Sequence, residues 1–344
     1  MLCMDNETGK AGFLGYLVNQ ITTHNSPLAK SAKPCIMVSR GNVMGLSSHL
    51  DGLYERAAAN GKSSVAVACA DDPHVLQAAG AAGDIASFIL VGDAAKIRKT
   101  AADSGVDISC MQIVDEPERD SACIAAVSLV ASGAAKALMK GLVDTSAIMK
   151  AVLDKDAGMR TGKKLSHLAI FSIAAYHKIL FVTDAAINIA PDFETKKTII
   201  ANAVEAAVSL GVDCPKVALL AAKEKADAKM PATMEAADLA RWYKDGGISG
   251  CIVDGPFALD NAVSKESAQI KGIDSPVAGD ADILVCPDIE AANVLYKSLA
   301  FLAGAKNGGV VLGAKKPVIL TSRADSAESK YISIALGILC GGGA

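Results

Sequence analysis

From Gly45 onward the sequence alternates between short apolar runs and longer helical stretches. Apolar runs at 63–70, 87–93 and 136–141 are separated by stretches such as 118–133, which has the length and composition of a helix. This alternation is typical of strand–helix–strand units, which build parallel sheets through right-handed crossovers. The pattern continues to the C-terminus, with further apolar runs at 250–256, 282–287, 308–314 and 317–322 and helical stretches at about 258–271 and 288–305. The sequence therefore predicts an α/β fold.

The composition agrees with buried parallel strands. Hydrophobic residues make up 51% of the chain but aromatic residues only 4%, so the core must consist mainly of Ala, Val, Ile and Leu. A length of 344 residues favours two domains. The basic, glycine-containing stretch 155–166 interrupts the alternation, and we interpret it as the boundary between two sheets. Beyond it, 167–173 and 179–185 lie close enough in sequence to form a hairpin.

Charge and cysteine content exclude several classes of protein. With 34 basic and 37 acidic residues, the chain offers no general field for nucleic acid or an anionic membrane surface. None of the nine Cys forms a C-x-x-C pair, and no stretch reaches the roughly 18 apolar residues of a membrane span. We therefore expect a cytoplasmic protein with reduced thiols and no nucleic-acid or membrane partner.

The usual cofactor motifs are missing. No G-x-G-x-x-G follows a strand, and 158–164 lacks the spacing of a P-loop. The five His are widely separated in sequence, without the paired spacing of metal ligands, so no metal is predicted.

Ligands of open α/β sheets bind beyond the carboxyl ends of the strands, which directs attention to the residues after each apolar run. Lys140 ends one strand, and Thr145 or Ser146 can cap the following helix, whose N–H groups would face an anion. Asp184 and Asn188 follow another strand. An ordinary helix cap and an ordinary polar loop remain the alternatives at these two junctions.

A third junction precedes a helix on which Asn293 and Lys297 lie one turn apart and so share a face, although a charged residue on a helix is commonly just solvated. At the fourth junction Ser322 and Arg323 leave a strand just before a helix. A guanidinium at a helix N-terminus is disfavoured by the helix dipole unless an anion lies between them.

This arrangement at Arg323 indicates an anionic ligand. A surface ion pair of Arg323 with Asp325 or Glu328 is the alternative, and the sequence leaves both open.

From about residue 60 to the C-terminus the sequence resembles the phosphate acetyl/butyryltransferase family, and its details are closer to the butyryltransferases. The matching stretches occur in family order and spacing: MKGLVDTSAIMKAVL, RTGKKLSHLAIF, TDAAIN, KMPATMEAADLA, VDGPFALDNAVSKESA, PDIEAANVLYKSLAFLAGA and TSRADSAESK. The resemblance implies two α/β domains of the isocitrate/isopropylmalate dehydrogenase-like type with an active cleft between them. Residues 1–163 and 317–344 would form the first domain, and 164–316 the second, dimer-forming domain.

The resemblance also implies a reaction, in which acyl-CoA and phosphate give acyl phosphate and CoA reversibly, with no cofactor. Ser322 matches the family residue near the CoA thiol, and Arg323 matches the one on the phosphoryl group. Lys150 falls near a second cleft arginine of the acetyltransferases. Where those enzymes have an aspartate base, this chain has Ser329, which leaves Asp325 and Glu328 as local substitutes.

We predict a phosphate butyryltransferase that acts as a homodimer or higher homo-oligomer. A phosphate acetyltransferase is the first alternative, and a CoA-binding protein that is inactive because of Ser329 is the second. A metal- and nicotinamide-dependent dehydrogenase is supported only by the architecture.

Overall fold

The computed structural model of the protein describes residues 48–322 and 325–341. The chain divides into two compact units, Met1–Met44 and Gly45–Ala344, and every described residue belongs to the second. The predictions made for Arg323 therefore lie outside the described residues.

The described residues contain strands at nearly every apolar run of the sequence. They are β1 Ser63–Ala68, β2 Ala86–Gly92, β3 Gln112–Asp115, β4 Ala137–Lys140, β5 Ser166–Ser172, β6 Leu180–Thr183, β7 Lys216–Leu220, β8 Ile252–Phe257, β9 Ile283–Val285, β10 Lys306–Leu312 and β11 Val318–Ile319.

These strands form one sheet in the order β3-β2-β1-β4-β11-β10-β5-β6-β9-β7-β8. The pairs β11–β10, β10–β5 and β5–β6 are antiparallel, and the other pairs are parallel. The predicted hairpin of β5 and β6 is confirmed. The predicted boundary between two sheets at 155–166 is wrong, because β10 pairs with both β11 and β5 and so joins the strands on the two sides of that stretch. The proposed domain limits stay a prediction.

Helices connect the strands as the alternation predicted. They are α1 Ser48–Ala59, α2 Pro73–Ala81, α3 Ala94–Asp103, α4 Arg119–Ala131, α5 Thr145–Leu153, α6 Phe193–Ser209, α7 Pro231–Lys244, α8 Leu259–Val263, α9 Lys265–Ile270, α10 Ile289–Lys297 and α11 Ala327–Gly341, with a π-helical turn at Ser298–Leu302. Within the described residues, no helix is long and apolar enough to cross a membrane.

Aspartate side chains begin several of these helices. Each accepts a hydrogen bond from a backbone N–H three residues later, which satisfies one of the free donors of the first turn. The pairs are Asp72 with Val75, Asp93 with Lys96, Asp192 with Thr195, and Asp288 with Ala291.

Two helical predictions differ in detail from the structure. The stretch 258–271 divides into α8 and α9, because Ser264 adopts an extended backbone and caps α9 by accepting a hydrogen bond from Ser267 N. The predicted helix 288–305 is α10 followed by the π-helical turn.

Apolar side chains cover both faces of the sheet. On the central strand β5, Leu168 and Ile170 belong to one buried cluster, whereas Ala169 and Phe171 belong to the other. This alternation fits a strand that is enclosed on both sides. The α/β fold class predicted from the sequence is thus confirmed.

Candidate active site

A pocket of about 380 Å³ lies beside the carboxyl ends of β4 and β11, which are parallel neighbours. Residues that follow these two strands meet there with residues of β5, α10 and the loop after β6. The lining consists of Lys140, Val143, Asp144, Thr145, His167, Ala185, Ala186, Asn293, Tyr296, Lys297, Leu320, Thr321, Ser322 and Asp325.

Lys140 brings a cation to this pocket from the end of β4. Its side chain is only 5% exposed, and its Nζ donates to the carbonyl oxygen of Gly141 at 3.2 Å. Glycine is required next, because a Cβ at Gly141 would lie 2.2 Å from the carbonyl oxygen of Cys69. This close approach of Cys69, which follows β1, leaves room only for glycine in the turn that leads to Thr145, the first residue of α5.

Asp184 organises the loop after β6. Its carboxylate accepts hydrogen bonds from the backbone N–H groups of Ala186 and Ile187 at 3.0 Å, and from the Asn188 side chain at 2.6 Å. Asn188 also donates to the carbonyl oxygen of Leu165 at 2.8 Å. Asp184 and Asn188 therefore do not line the pocket themselves but hold the loop whose residues do.

The helix α10 supplies the opposite wall. Asn293 Nδ2 donates to the Ala185 carbonyl oxygen at 3.2 Å, which ties α10 to the loop after β6. Lys297 Nζ lies 5.1 Å from the ring centroid of Tyr296, a cation–π distance. Tyr296 is fixed in turn by a 3.0 Å hydrogen bond from its hydroxyl to Asn307 Oδ1.

The loop that follows β11 is held by its own residues and by α11. Ser322 N donates to Asp325 Oδ2 at 2.6 Å. Lys330 of α11 is 1% exposed, and its Nζ donates to the carbonyl oxygens of Ser322 and Asp325, both at 2.9 Å. Burial lowers the pKa of Lys330, while Asp72 and Asp325 oppose that shift.

Glu328, predicted as a substitute base, and Ser329, which holds the position of the family's aspartate base, both make other contacts. Glu328 forms an ion pair with Lys306 at 2.7 Å. Ser329 N donates to Ser326 Oγ at 3.1 Å, and the two hydroxyls are 3.2 Å apart, as at a helix N-terminus. Of the acidic residues predicted in this loop, Asp325 is the one that reaches the pocket.

His167 is a pocket residue that the sequence did not single out. It lies on β5, is 5% exposed, and its ring meets that of Tyr296 edge-on with centroids 6.1 Å apart. Burial lowers the pKa of His167, the carboxylates of Asp184 and Asp325 oppose this, and Lys297 adds to it. The signal for it in the sequence was a titratable residue directly before the apolar run 168–171.

The structure thus sorts the predicted site residues by position. Those that line the pocket are Lys140, Thr145, Asn293, Lys297, Ser322 and Asp325. Those outside its lining are Ser146, Lys150, Asp184, Asn188 and Glu328. Two lysines and a serine hydroxyl around one pocket can bind an anion and polarise a group beside it.

A wider depression of about 950 Å³ lies along α7 and is lined in part by Met234, Arg241 and Trp242. None of the predicted site residues borders it. We therefore place the candidate active site at the smaller pocket.

Comparison with known proteins supports one family. The family described as phosphate acetyl/butaryl transferase matches residues 116–338. A phosphate butyryltransferase of Clostridium beijerinckii is 47% identical over 296 residues, covering 86% of this chain and 98% of that protein. A phosphate acetyltransferase of Thermotoga maritima is 45% identical over 289 residues, covering 83% and 98%.

Solved structures agree with these sequences. The crystal structure of a branched-chain phosphotransacylase from Enterococcus faecalis superposes with a TM-score of 0.73 at 35% identity, covering 81% of this chain and 99% of that one. With a family match over most of its length and relatives that it covers almost completely, the chain belongs to the phosphate acetyl/butyryl transferase family.

Proposed function

We propose that this chain is a phosphate acyltransferase that converts a short acyl-CoA and inorganic phosphate into an acyl phosphate and CoA, with butyryl as the preferred acyl group. The observation that carries the proposal is the 47% identity to a phosphate butyryltransferase across 98% of that enzyme. The pocket beside β4 and β11 supports it, since it combines two cationic side chains with the serine hydroxyl.

The chemistry of the reaction fits these side chains. Acyl transfer from a thioester to phosphate passes through a tetrahedral oxyanion next to the charge of the phosphate, so fixed cations and hydrogen-bond donors stabilise the transition state. Lys140 and Lys297 would face the phosphate and the developing oxyanion, and Ser322 would lie near the CoA sulfur. Holding both substrates together in one pocket would supply much of the acceleration without a protein nucleophile.

A phosphate acetyltransferase is the second candidate, because the Thermotoga maritima relative is nearly as similar as the butyryltransferase. The two candidates differ in the acyl chain that the pocket accepts. One methylene in an apolar site contributes about 1–3 kcal/mol, which corresponds to roughly 10–200-fold in kcat/KM. A substrate series therefore separates them.

The decisive experiment is a thiol-release assay with acetyl-, propionyl- and butyryl-CoA, each with and without phosphate. We expect release that depends on phosphate, with the highest kcat/KM for butyryl-CoA. A preference for acetyl-CoA of tenfold or more would establish the second candidate instead. CoA binding without any release would refute the enzymatic proposal and favour a CoA-binding protein.

We further propose that the enzyme acts in the cytoplasm as a homodimer. Seven described cysteines are present as free thiols, which agrees with a reducing compartment. Sedimentation of the full-length chain tests the dimer, and a sedimenting monomer would refute it.

A further inference from the structure

His167 carries a polar atom whose environment is unusual. Among the described residues its Nδ1 has no hydrogen-bond partner, although it is fully enclosed. The ring fits over β10 where Gly309 has no side chain, since a Cβ there would lie 2.8 Å from His167 Nε2. Buried polar groups are nearly always hydrogen-bonded, and an unpaired one in a side chain that lines a pocket points to a bound ligand as its partner.

The two carboxylates predicted as substitutes for the base make other contacts. Asp325 Oδ2 already accepts the 2.6 Å hydrogen bond from Ser322 N. Glu328 is paired with Lys306 and lies outside the pocket lining. His167, by contrast, is a titratable residue of the pocket lining whose Nδ1 accepts no hydrogen bond from any described residue.

The charges that face His167 suit a base. Asp184 after β6 and Asp325 after β11 favour the imidazolium form, whereas burial and Lys297 of α10 favour the neutral ring. The net effect holds the pKa of His167 below its ordinary value, so the ring is neutral and able to accept a proton at pH 7. The two carboxylates would then stabilise the imidazolium formed during the reaction.

We propose that His167 is a catalytic residue that takes the CoA thiol proton at Nδ1 when CoA attacks the acyl phosphate, and returns it to the sulfur in the opposite direction. In the first direction the S–H bond breaks, and the sulfur electron pair forms the C–S bond to the acyl carbon. The C–O bond to phosphate breaks with its electron pair on the phosphate oxygen, and the proton on Nδ1 passes to the departing phosphate or to water. This assignment rests on the proposed function, since it requires a CoA thiol in the pocket.

The kinetic test compares His167→Asn and His167→Gln with the parent enzyme. Loss of a general base lowers rates by about 10²–10⁴-fold, so we expect kcat for thiol acylation to fall at least 100-fold in both variants. KM for acyl phosphate should change little. His177→Asn is the matched control, because His177 is exposed and paired with Asp280 away from the pocket, and its activity should be unchanged.

The pH profile distinguishes a base from a structural histidine. The parent rate should be level above pH 6.5 and fall below the lowered pKa of His167, where the ring is protonated. In the variants the rate should instead rise with pH toward the thiol ionisation near about 8.5, because only preformed thiolate can react. The proposal would be overturned if the variants kept the parent pH profile. It would also be overturned if His167→Asn had the full activity of the parent, because asparagine restores a hydrogen bond but cannot transfer the proton.

Nuclear magnetic resonance of the histidine side chains in the parent enzyme gives an answer even if the variants do not fold. We expect the His167 nitrogen signals to shift on addition of CoA and to remain in place with desulfo-CoA, which lacks the sulfur. Equal shifts with both compounds would overturn the assignment. Failure of the proposed function is distinguishable, because the parent enzyme itself would then release no thiol in the presence of phosphate.

Discussion

Lys330 is an unusual residue because it is a lysine that is only 1% exposed and whose Nζ donates to two backbone carbonyl oxygens. Those oxygens belong to Ser322 and Asp325, the ends of the loop after β11. Burying an ammonium group costs free energy unless hydrogen bonds compensate for the lost water. The charged Lys330 therefore needs these two carbonyl oxygens, and the loop needs Lys330 to keep its geometry.

We predict that Lys330→Met lowers kcat at least tenfold with a small change in KM for CoA. Methionine keeps the apolar stem of lysine but leaves two carbonyl oxygens without their donor, so Ser322 loses its fixed position. We also expect a loss of about 1–3 kcal/mol in the free energy of unfolding. Steady-state kinetics and urea unfolding measure the two effects.

Lys99→Met is the control, since Lys99 is exposed on α3 and its ion pair with Asp103 is solvated. Its kinetics should match those of the parent. If Lys330→Met lost stability but kept kcat, the residue would support the fold and not the site.

The sequence identified some site residues and missed others for a physical reason. Lys140 and Ser322 were predicted because they follow apolar runs, and strand ends are where ligands bind. His167 and Lys330 lie inside a strand and a helix, where periodicity indicates which positions are buried but not which of them a polar residue occupies. For His167 the available signal was a titratable residue directly before the apolar run 168–171, whereas Lys330 follows Glu328 and Ser329 and had no such signal.

At the scale of elements, a charge cluster joins the beginnings of β6 and β7. Asp280 contacts Lys216 Nζ at 2.5 Å, His177 Nε2 at 2.7 Å and Lys178 Nζ at 3.2 Å. Burial raises the pKa of Asp280, but the hydrogen bonds from Lys216, His177 and Lys178 outweigh it and hold that pKa well below its ordinary value. The charged carboxylate therefore stabilises the fold.

We predict that Asp280→Asn lowers the free energy of unfolding by about 1–3 kcal/mol at pH 7. Because the folded pKa is depressed, the contribution is complete above the ordinary aspartate value of about 3.9 and is lost as the pH falls through that value toward the folded one. The difference in the free energy of unfolding between Asp280→Asn and the parent should therefore be smaller at pH 3 than at pH 7. Denaturant unfolding at pH 7, 5 and 3 measures it.

The exposed pair of Asp103 with Lys99 offers a matched control. Asp103→Asn should change stability less than Asp280→Asn at every pH. A constant difference between Asp280→Asn and the parent down to pH 3 would contradict the role of the charge.

Element type followed from the sequence, whereas strand direction did not. The hairpin of β5 and β6 was predicted because the connection between the two apolar runs is short, and the structure confirms their antiparallel pairing. The run that forms β10 was also recognised as a strand, but nothing in its residues specified that it runs antiparallel between β11 and β5. Local sequence patterns do not encode which distant strands pair with each other. The sequence therefore indicated two sheets where the structure has one.

At the scale of the whole molecule, β10 and α11 connect the early and late parts of the sheet. The helix α11 packs against β10 and also against α1 and α2. Tyr331 of α11 stacks on Tyr54 of α1 with ring centroids 4.8 Å apart. At the contact with β10, a Cβ on Gly308 would lie 2.6 Å from Ile332 Cγ2 and 2.8 Å from Ser333 N.

We predict that the parent unfolds in one calorimetric transition and that Gly308→Ala lowers the temperature of that whole transition. The added methyl meets the backbone of α11, which cannot rotate away as a side chain could, so the helix must shift. Overpacking of this kind costs about 1–3 kcal/mol. Because α11 contacts β4, β11 and β10 in the middle of the sheet and also the helices α1, α2 and α6, the loss should be felt by all of them together.

Gly61→Ala serves as the comparison, since Gly61 lies in a turn at φ +75° with open space around it. Its cost arises only from local backbone strain and leaves the contact between α11 and β10 intact. Two separate transitions in Gly308→Ala, with only one of them lowered, would show instead that the predicted domains unfold independently and that β10 does not couple them.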